Sequence, residues 1–84
     1  MEQFKDFAKD FEKALEEEEL ILIEKTNLTR LYRSLNTYFY ISYIQNKYYI
    51  GVYTRLRDIT MQRPIWKISA NKPKKIVRYF LSSI

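Results

Sequence analysis

Thr37-Tyr38-Phe39-Tyr40-Ile41-Ser42-Tyr43-Ile44-Gln45-Asn46-Lys47-Tyr48-Tyr49-Ile50-Gly51-Val52-Tyr53-Thr54-Arg55 reads as two strands folded back on each other. Aromatic and β-branched residues, which suit a pleated and half-buried surface, fill residues 37–45 and 48–55 on either side of Asn46-Lys47. Asn tolerates the positive φ that a two-residue hairpin turn requires. A turn at Asn46-Lys47 sets Tyr43 against Ile50, Ile41 against Val52 and Phe39 against Thr54 on one face. The other face then pairs Ile44 with Tyr49, Ser42 with Gly51, Tyr40 with Tyr53 and Tyr38 with Arg55. The first set has the character of a core. The second is a row of tyrosines ending in arginine.

Upstream, residues 3–18 carry Phe4, Phe7, Ala8, Phe11, Ala14 and Leu15 at three- and four-residue intervals, which predicts an amphipathic helix with its phenylalanines packed inward. Residues 20–25 form a short run apolar on both faces, the pattern of a central strand. Residues 27–35 fit two descriptions. Leu28, Leu31, Tyr32 and Leu35 have helical spacing after an Asn27 cap, whereas Thr29, Leu31 and Arg33 alternate like a strand; the helix is the favoured reading, and in both Arg30 and Arg33 face solvent.

Downstream, residues 56–62 are a loop or a single helical turn, and residues 63–69 a further strand with Pro64 at its start, where a missing amide donor is tolerated. Trp66 and Ile68 share one face of that strand, Ile65 and Lys67 the other. Ile76, Val77, Phe80, Leu81 and Ile84 define a last helix, capped by Asn71 with Pro73 in its first turn. The expected fold is one small α+β domain over residues 1–84: an N-terminal amphipathic helix, a three- to five-stranded mostly antiparallel sheet and a C-terminal helix.

The 84 residues contain no cysteine and no histidine, so disulfides, thiolate metal sites, a thiol nucleophile and the commonest general base are all excluded. Hydrophobic residues at 46% place the chain among folded proteins rather than disordered tails. No apolar run approaches the roughly 18 residues of a membrane helix, and the charged start is unlike a signal peptide. The expectation is a cytoplasmic, non-enzymatic protein without cofactor, metal or membrane partner.

Charge is divided sharply. Residues 1–24 hold nine acids against three lysines, a net of −6, and residues 25–84 hold twelve basic residues against Asp58 alone, a net of +11. Such asymmetry points to a polyanion partner for the basic part, or to an acidic helix that neutralises a basic sheet. The tyrosine row sharpens the first reading. Tyr38, Tyr40, Tyr49 and Tyr53 offer flat rings for base stacking, and Arg30, Arg33, Arg55 and Arg57, with Lys72, Lys74 and Lys75 at the start of the last helix, offer cations for phosphates. The plainer alternative is that tyrosines sit there because they pack well in sheets.

A different class of function rests on Glu16, Glu17, Glu18 and Glu19, a run that crowds the unfavourable end of the first helix's dipole. Such a run could imitate a phosphate backbone and engage a nucleic-acid-handling protein. In size and cysteine-poor composition the chain resembles the small inhibitors of phages and mobile elements, anti-CRISPR proteins among them. Tyr49-Ile50-Gly51 followed by Leu56 also resembles the second half-motif of the GIY-YIG nucleases. No Gly-Ile-Tyr precedes it, Ile59 stands where that family's arginine is expected, and no glutamate follows Glu24 to hold a metal, so the resemblance does not extend to the reaction. A homodimer is one assembly that an uncovered sheet edge in so small a domain allows.

Overall fold

The computed structural model describes residues 2–83, Glu2 as backbone only. The chain runs α1 (Glu2–Ala14), a 3-10 turn (Glu16–Glu18), β1 (Ile21–Lys25), β2 (Thr29–Ser34), β3 (Thr37–Ile44), β4 (Lys47–Tyr53), α2 (Leu56–Thr60), β5 (Trp66–Ala70) and α3 (Pro73–Ser83). The five strands form one antiparallel sheet in the order β1-β2-β3-β4-β5, each strand pairing with its neighbour in sequence. This is the expected α+β arrangement of helix, antiparallel sheet and helix. No helix among the described residues is long and apolar enough to cross a membrane.

Helices α1 and α3 lie together on one face of the sheet. The apolar stripe of α1 is buried along its length at Phe4, Phe7, Ala8 and Phe11 and continues into Leu15 just after the helix, and α3 contributes Ile76, Val77 and Phe80. From the sheet come Tyr32, Ile41, Tyr48 and Ile50, with Phe39, Val52, Trp66 and Ile68 packed at the margin. Aromatic rings tie the layers: Phe11 stands 5.5 Å from Tyr32, 6.0 Å from Phe39 and 5.5 Å from Phe80, and Phe80 is 5.5 Å from Trp66. Each fully buried phenylalanine is worth about 1.5–3 kcal/mol in area removed from water. Leu81, expected on the buried stripe, is instead exposed over the α1–α3 groove, and Ile84 lies outside the described residues. Helix α3 starts at Pro73, and the Lys72 carbonyl, not Asn71, receives the Ile76 amide.

Three expectations are corrected. Residues 27–35 are not a helix: residues 29–34 are β2, held by ladders to β1 and β3 on both sides. A partner strand on either side offers acceptors and donors to both edges of β2, whereas a short surface helix leaves the backbone groups of its two ends unpaired. The run at residues 20–25 is the edge strand β1 rather than a central one, with all five residues exposed. Its double-sided apolarity has another cause. A bulge between Leu22 and Glu24 sends Leu22 to the helix face, opposite Tyr32, and Glu24 to the far face, opposite Leu31.

The third correction concerns the β3–β4 hairpin. Its turn is Gln45-Asn46, both at positive φ (52° and 66°), between the paired Ile44 and Lys47. Positive φ at both central residues is the type I′ requirement, which Gln45-Asn46 meets while Lys47 enters the strand. The register therefore slips by two residues from that expected. Tyr38 opposes Tyr53, Tyr40 opposes Gly51, Ser42 opposes Tyr49, Ile41 opposes Ile50 and Phe39 opposes Val52. A slip of two leaves every side chain on its expected face.

Candidate functional site

The face away from α1 and α3 carries the tyrosine row. Three lines of paired residues cross it: Arg33–Tyr38–Tyr53, Leu31–Tyr40–Gly51–Lys67 and Thr29–Ser42–Tyr49–Ser69. Alternation along each strand produces these lines, since residues two apart share a face. Tyr38, Tyr40 and Tyr49 are half-buried, with ring surface open to solvent. A groove of about 500 Å³ runs over Tyr40, Ser42 and Tyr49, walled by Glu24 on the β1 side and by Ile59, Thr60 and Pro64 on the α2 side.

Tyr53 behaves differently from the other three. It is only 7% exposed, and its ring folds back over Gly51, where an added Cβ would lie 2.9 Å from Cε1 and 3.2 Å from the hydroxyl. Gly51 is thus the place where the sheet lets a ring approach its own backbone. Burial, with Tyr40 nearby, raises the Tyr53 pKa, so its hydroxyl stays protonated. Tyr53 forms the wall of the groove rather than an open platform.

Lys67, absent from the expected set, belongs to this face. Its Nζ stands 4.8 Å from the centre of the Tyr49 ring, within cation–π reach. The alternation of Trp66 and Ile68 against Ile65 and Lys67 already separated the faces of β5; only the pairing of β5 with β4 reveals that Lys67 joins the tyrosines. Arg33 is exposed on the same face, its Nε donating to the Leu35 carbonyl at 2.8 Å. Arg55 and Arg57, both exposed, sit at the start of α2, two and four residues after Tyr53.

Arg30 departs from its expected place. It is 7% exposed on the helix face, opposite Ile41. Its Nη1 donates to the Thr26 carbonyl and, at 2.8 Å, to the Thr29 carbonyl, and its guanidinium lies 5.2 Å from the Phe4 ring centre. A planar cation with several donors can close a loop and stack on a ring at once, so it is accommodated where an ammonium would not be.

Lys72, Lys74 and Lys75 are exposed at the start of α3 on the helix side of the sheet, away from the tyrosine face. Lys74 borders a groove with Asp10, Lys13 and Arg78. Glu16, Glu17, Glu18 and Glu19 are all exposed around the 3-10 turn, which Ser34 anchors by donating from Oγ to the Glu18 carbonyl at 2.6 Å. Glu16 and Glu19 border a different groove, of about 290 Å³, with Glu12, Leu15, Leu20, Leu22 and Tyr32. The acidic and basic helix ends thus open onto separate grooves. Among the described residues no three acids come together as a metal-binding group. Comparison with known proteins returns no matching family model, no matching curated protein and no matching solved structure.

Proposed function

We propose that this chain is a non-enzymatic nucleic-acid-binding module that holds single strands on the open face of its sheet. The observation that carries the reading is the juxtaposition of half-exposed Tyr38, Tyr40 and Tyr49 on the one sheet face that α1 and α3 leave uncovered, with Lys67 and Arg33 among them. Rings on a pleated surface stack bases without regard to sequence, and cations around them take up phosphates. Arg55 and Arg57 extend the basic rim at the Tyr38–Tyr53 end. The test is a salt titration of fluorescent single-stranded DNA and RNA. Affinity is expected to fall linearly on a double-logarithmic plot as counterions are released; no binding of either strand at about 50 mM salt overturns the reading.

A second reading is favoured by the groove at the end of α1, where Glu16 and Glu19 rim an apolar floor of Leu15, Leu20 and Leu22. Acid beside apolar surface suits a basic, protein-type partner, so the chain in this reading is a phage- or mobile-element-encoded inhibitor of a nucleic-acid-handling protein. Replacing Glu16–Glu19 with Gln separates the two: it abolishes capture of a nuclease-resistant partner in the second reading and leaves or strengthens nucleic-acid binding in the first.

A further inference from the structure

We infer that β1 is a dimerisation edge, across which two copies of the chain join their sheets by antiparallel β1–β1 pairing about a two-fold axis. The inference does not depend on what the open face binds. It starts from the exposure of β1: Ile21, Leu22 and Ile23 are 62%, 46% and 42% exposed, three consecutive large apolar side chains on an edge strand. Soluble proteins ordinarily protect such an edge with charge, proline or a covering element, because its outer amides and carbonyls are a template for another strand. Here the protective charges, Glu24 and Lys25, stand only at the far end of the strand.

The occupant is fixed as a second copy by polarity. Glu16–Glu19 stand just before β1 and Lys25 closes it, and because Glu24 points to the far face opposite Leu31, the helix-face side of the strand is acidic at its entrance and basic at its exit. Antiparallel pairing of identical strands sets the acidic entrance of each beside the basic exit of the other, whereas parallel pairing would oppose like charges. The sides also agree. Leu22 and Lys25 both lie on the helix face, opposite Tyr32 and Arg30. With Leu22 opposite its own copy, Lys25 of one chain arrives over the groove that Glu16 and Glu19 rim in the other. That groove has the apolar floor, Leu15, Leu20, Leu22 and Tyr32, that the lysine stem and the facing leucine would cover. The bulge contributes to this match, because without it Leu22 and Glu24 would share a face and put a carboxylate into the leucine seam.

The absence of cysteine makes the arrangement directly testable, since one introduced thiol is the only thiol in the chain. Sedimentation velocity of the wild-type chain over a concentration series to about 100 µM is expected to show a monomer–dimer equilibrium. Leu22→Cys, which meets itself across the axis, is expected to form a disulfide-linked dimer under mild oxidation much faster than Leu35→Cys, an exposed control in the β2–β3 turn. Ile21→Lys is expected to shift the equilibrium to monomer while its far-UV spectrum and melting temperature stay near wild type, and a charge-swapped Lys25→Glu to weaken the dimer likewise. A wild-type chain that stays monomeric throughout overturns the inference. So does a dimer in which Leu22→Cys links no faster than Leu35→Cys, which would place the contact elsewhere, and so does a dimer that survives Ile21→Lys and Lys25→Glu unchanged.

Discussion

Tyr32 of β2 donates its hydroxyl to Oε2 of Glu12 at 2.5 Å, joining the buried face of the sheet to the solvent side of α1. Burial first, then the hydrogen bond to Glu12 and its negative charge, push the Tyr32 pKa far above the ordinary 10, while the Arg30 charge acts weakly the other way. The Tyr48 and Tyr53 hydroxyls are raised too, each chiefly by burial. The unfolded chain releases these protons near pH 10 and the folded chain keeps them. Stability is therefore complete below about pH 10 and declines as the pH climbs beyond it. Thermal melts by far-UV circular dichroism should show that decline, and Tyr32→Phe should make it shallower while costing about 1.5 kcal/mol at neutral pH.

Leu35 adopts a left-handed backbone, φ 53°, with its side chain 86% exposed. A γ-branched residue gains nothing there and bears the steric cost of the conformation. Leu35→Asn should stabilise the domain by about 1 kcal/mol, raising the melting temperature by several degrees. An unchanged or lowered melting temperature would mean that the leucine makes a contact in solution.

At Gly51 the prediction has the opposite sign. A methyl group there would press on the Tyr53 ring, which has little room to move because Tyr53 is buried. Gly51→Ala should destabilise by about 1–2 kcal/mol in urea denaturation. In a Tyr53→Leu background the same substitution should cost much less, since the two residues act as one unit.

The two arginines of β2 should separate cleanly. Arg30→Ala removes two hydrogen bonds to loop carbonyls and a cation over Phe4, and should cost about 2 kcal/mol of stability with no change in the salt dependence of nucleic-acid binding. Arg33→Ala should leave the melting temperature within about 0.5 kcal/mol of wild type and reduce the salt slope by roughly one phosphate. Denaturation and filter-binding titrations of both variants read the contrast.

Tyr40→Ala and Tyr49→Ala should each weaken single-strand affinity by about 1–3 kcal/mol if their rings stack on bases. Fluorescence anisotropy at fixed salt measures this. A loss of stability with no change in affinity would assign the rings to packing instead.

The amphipathic α1 and the alternating hairpin were legible because each pattern has a period that only one element satisfies: Phe4, Phe7 and Phe11 fit a helix, and Phe39, Ile41 and Tyr43 fit a strand. Residues 27–35 carried both periods, and what decides between them is the presence of partner strands on either side, which no local window contains. The edge position of β1 was hidden for a related reason: Leu22 and Glu24 point to opposite faces only because of a bulge that the sequence does not mark. Among the candidate site residues, Tyr38, Tyr40, Tyr49 and Tyr53 fell on one face by alternation along the hairpin, whereas Arg33 joins them only because residues 29–34 are a strand paired with β3. Arg30 does not: it lies on the helix face, where the Thr26 and Thr29 carbonyls, four and one positions before it, receive its guanidinium. Lys67 escaped notice because its neighbour Tyr49 is eighteen residues distant in sequence.

The slipped hairpin has a kinetic consequence. A β3–β4 pair turned at Asn46-Lys47 and one turned at Gln45-Asn46 would bury the same side chains on the same faces, so hydrophobic collapse cannot tell them apart. Discrimination falls to a few local terms: the cost of positive φ at Gln45 and Asn46 against that at Asn46 and Lys47, and the pairing that sets Gly51 beside Tyr40 and leaves room for the Tyr53 ring. The off-register hairpin is then a near-degenerate competitor on the folding landscape, and the only glycine in the chain is part of what tilts the balance toward the native one.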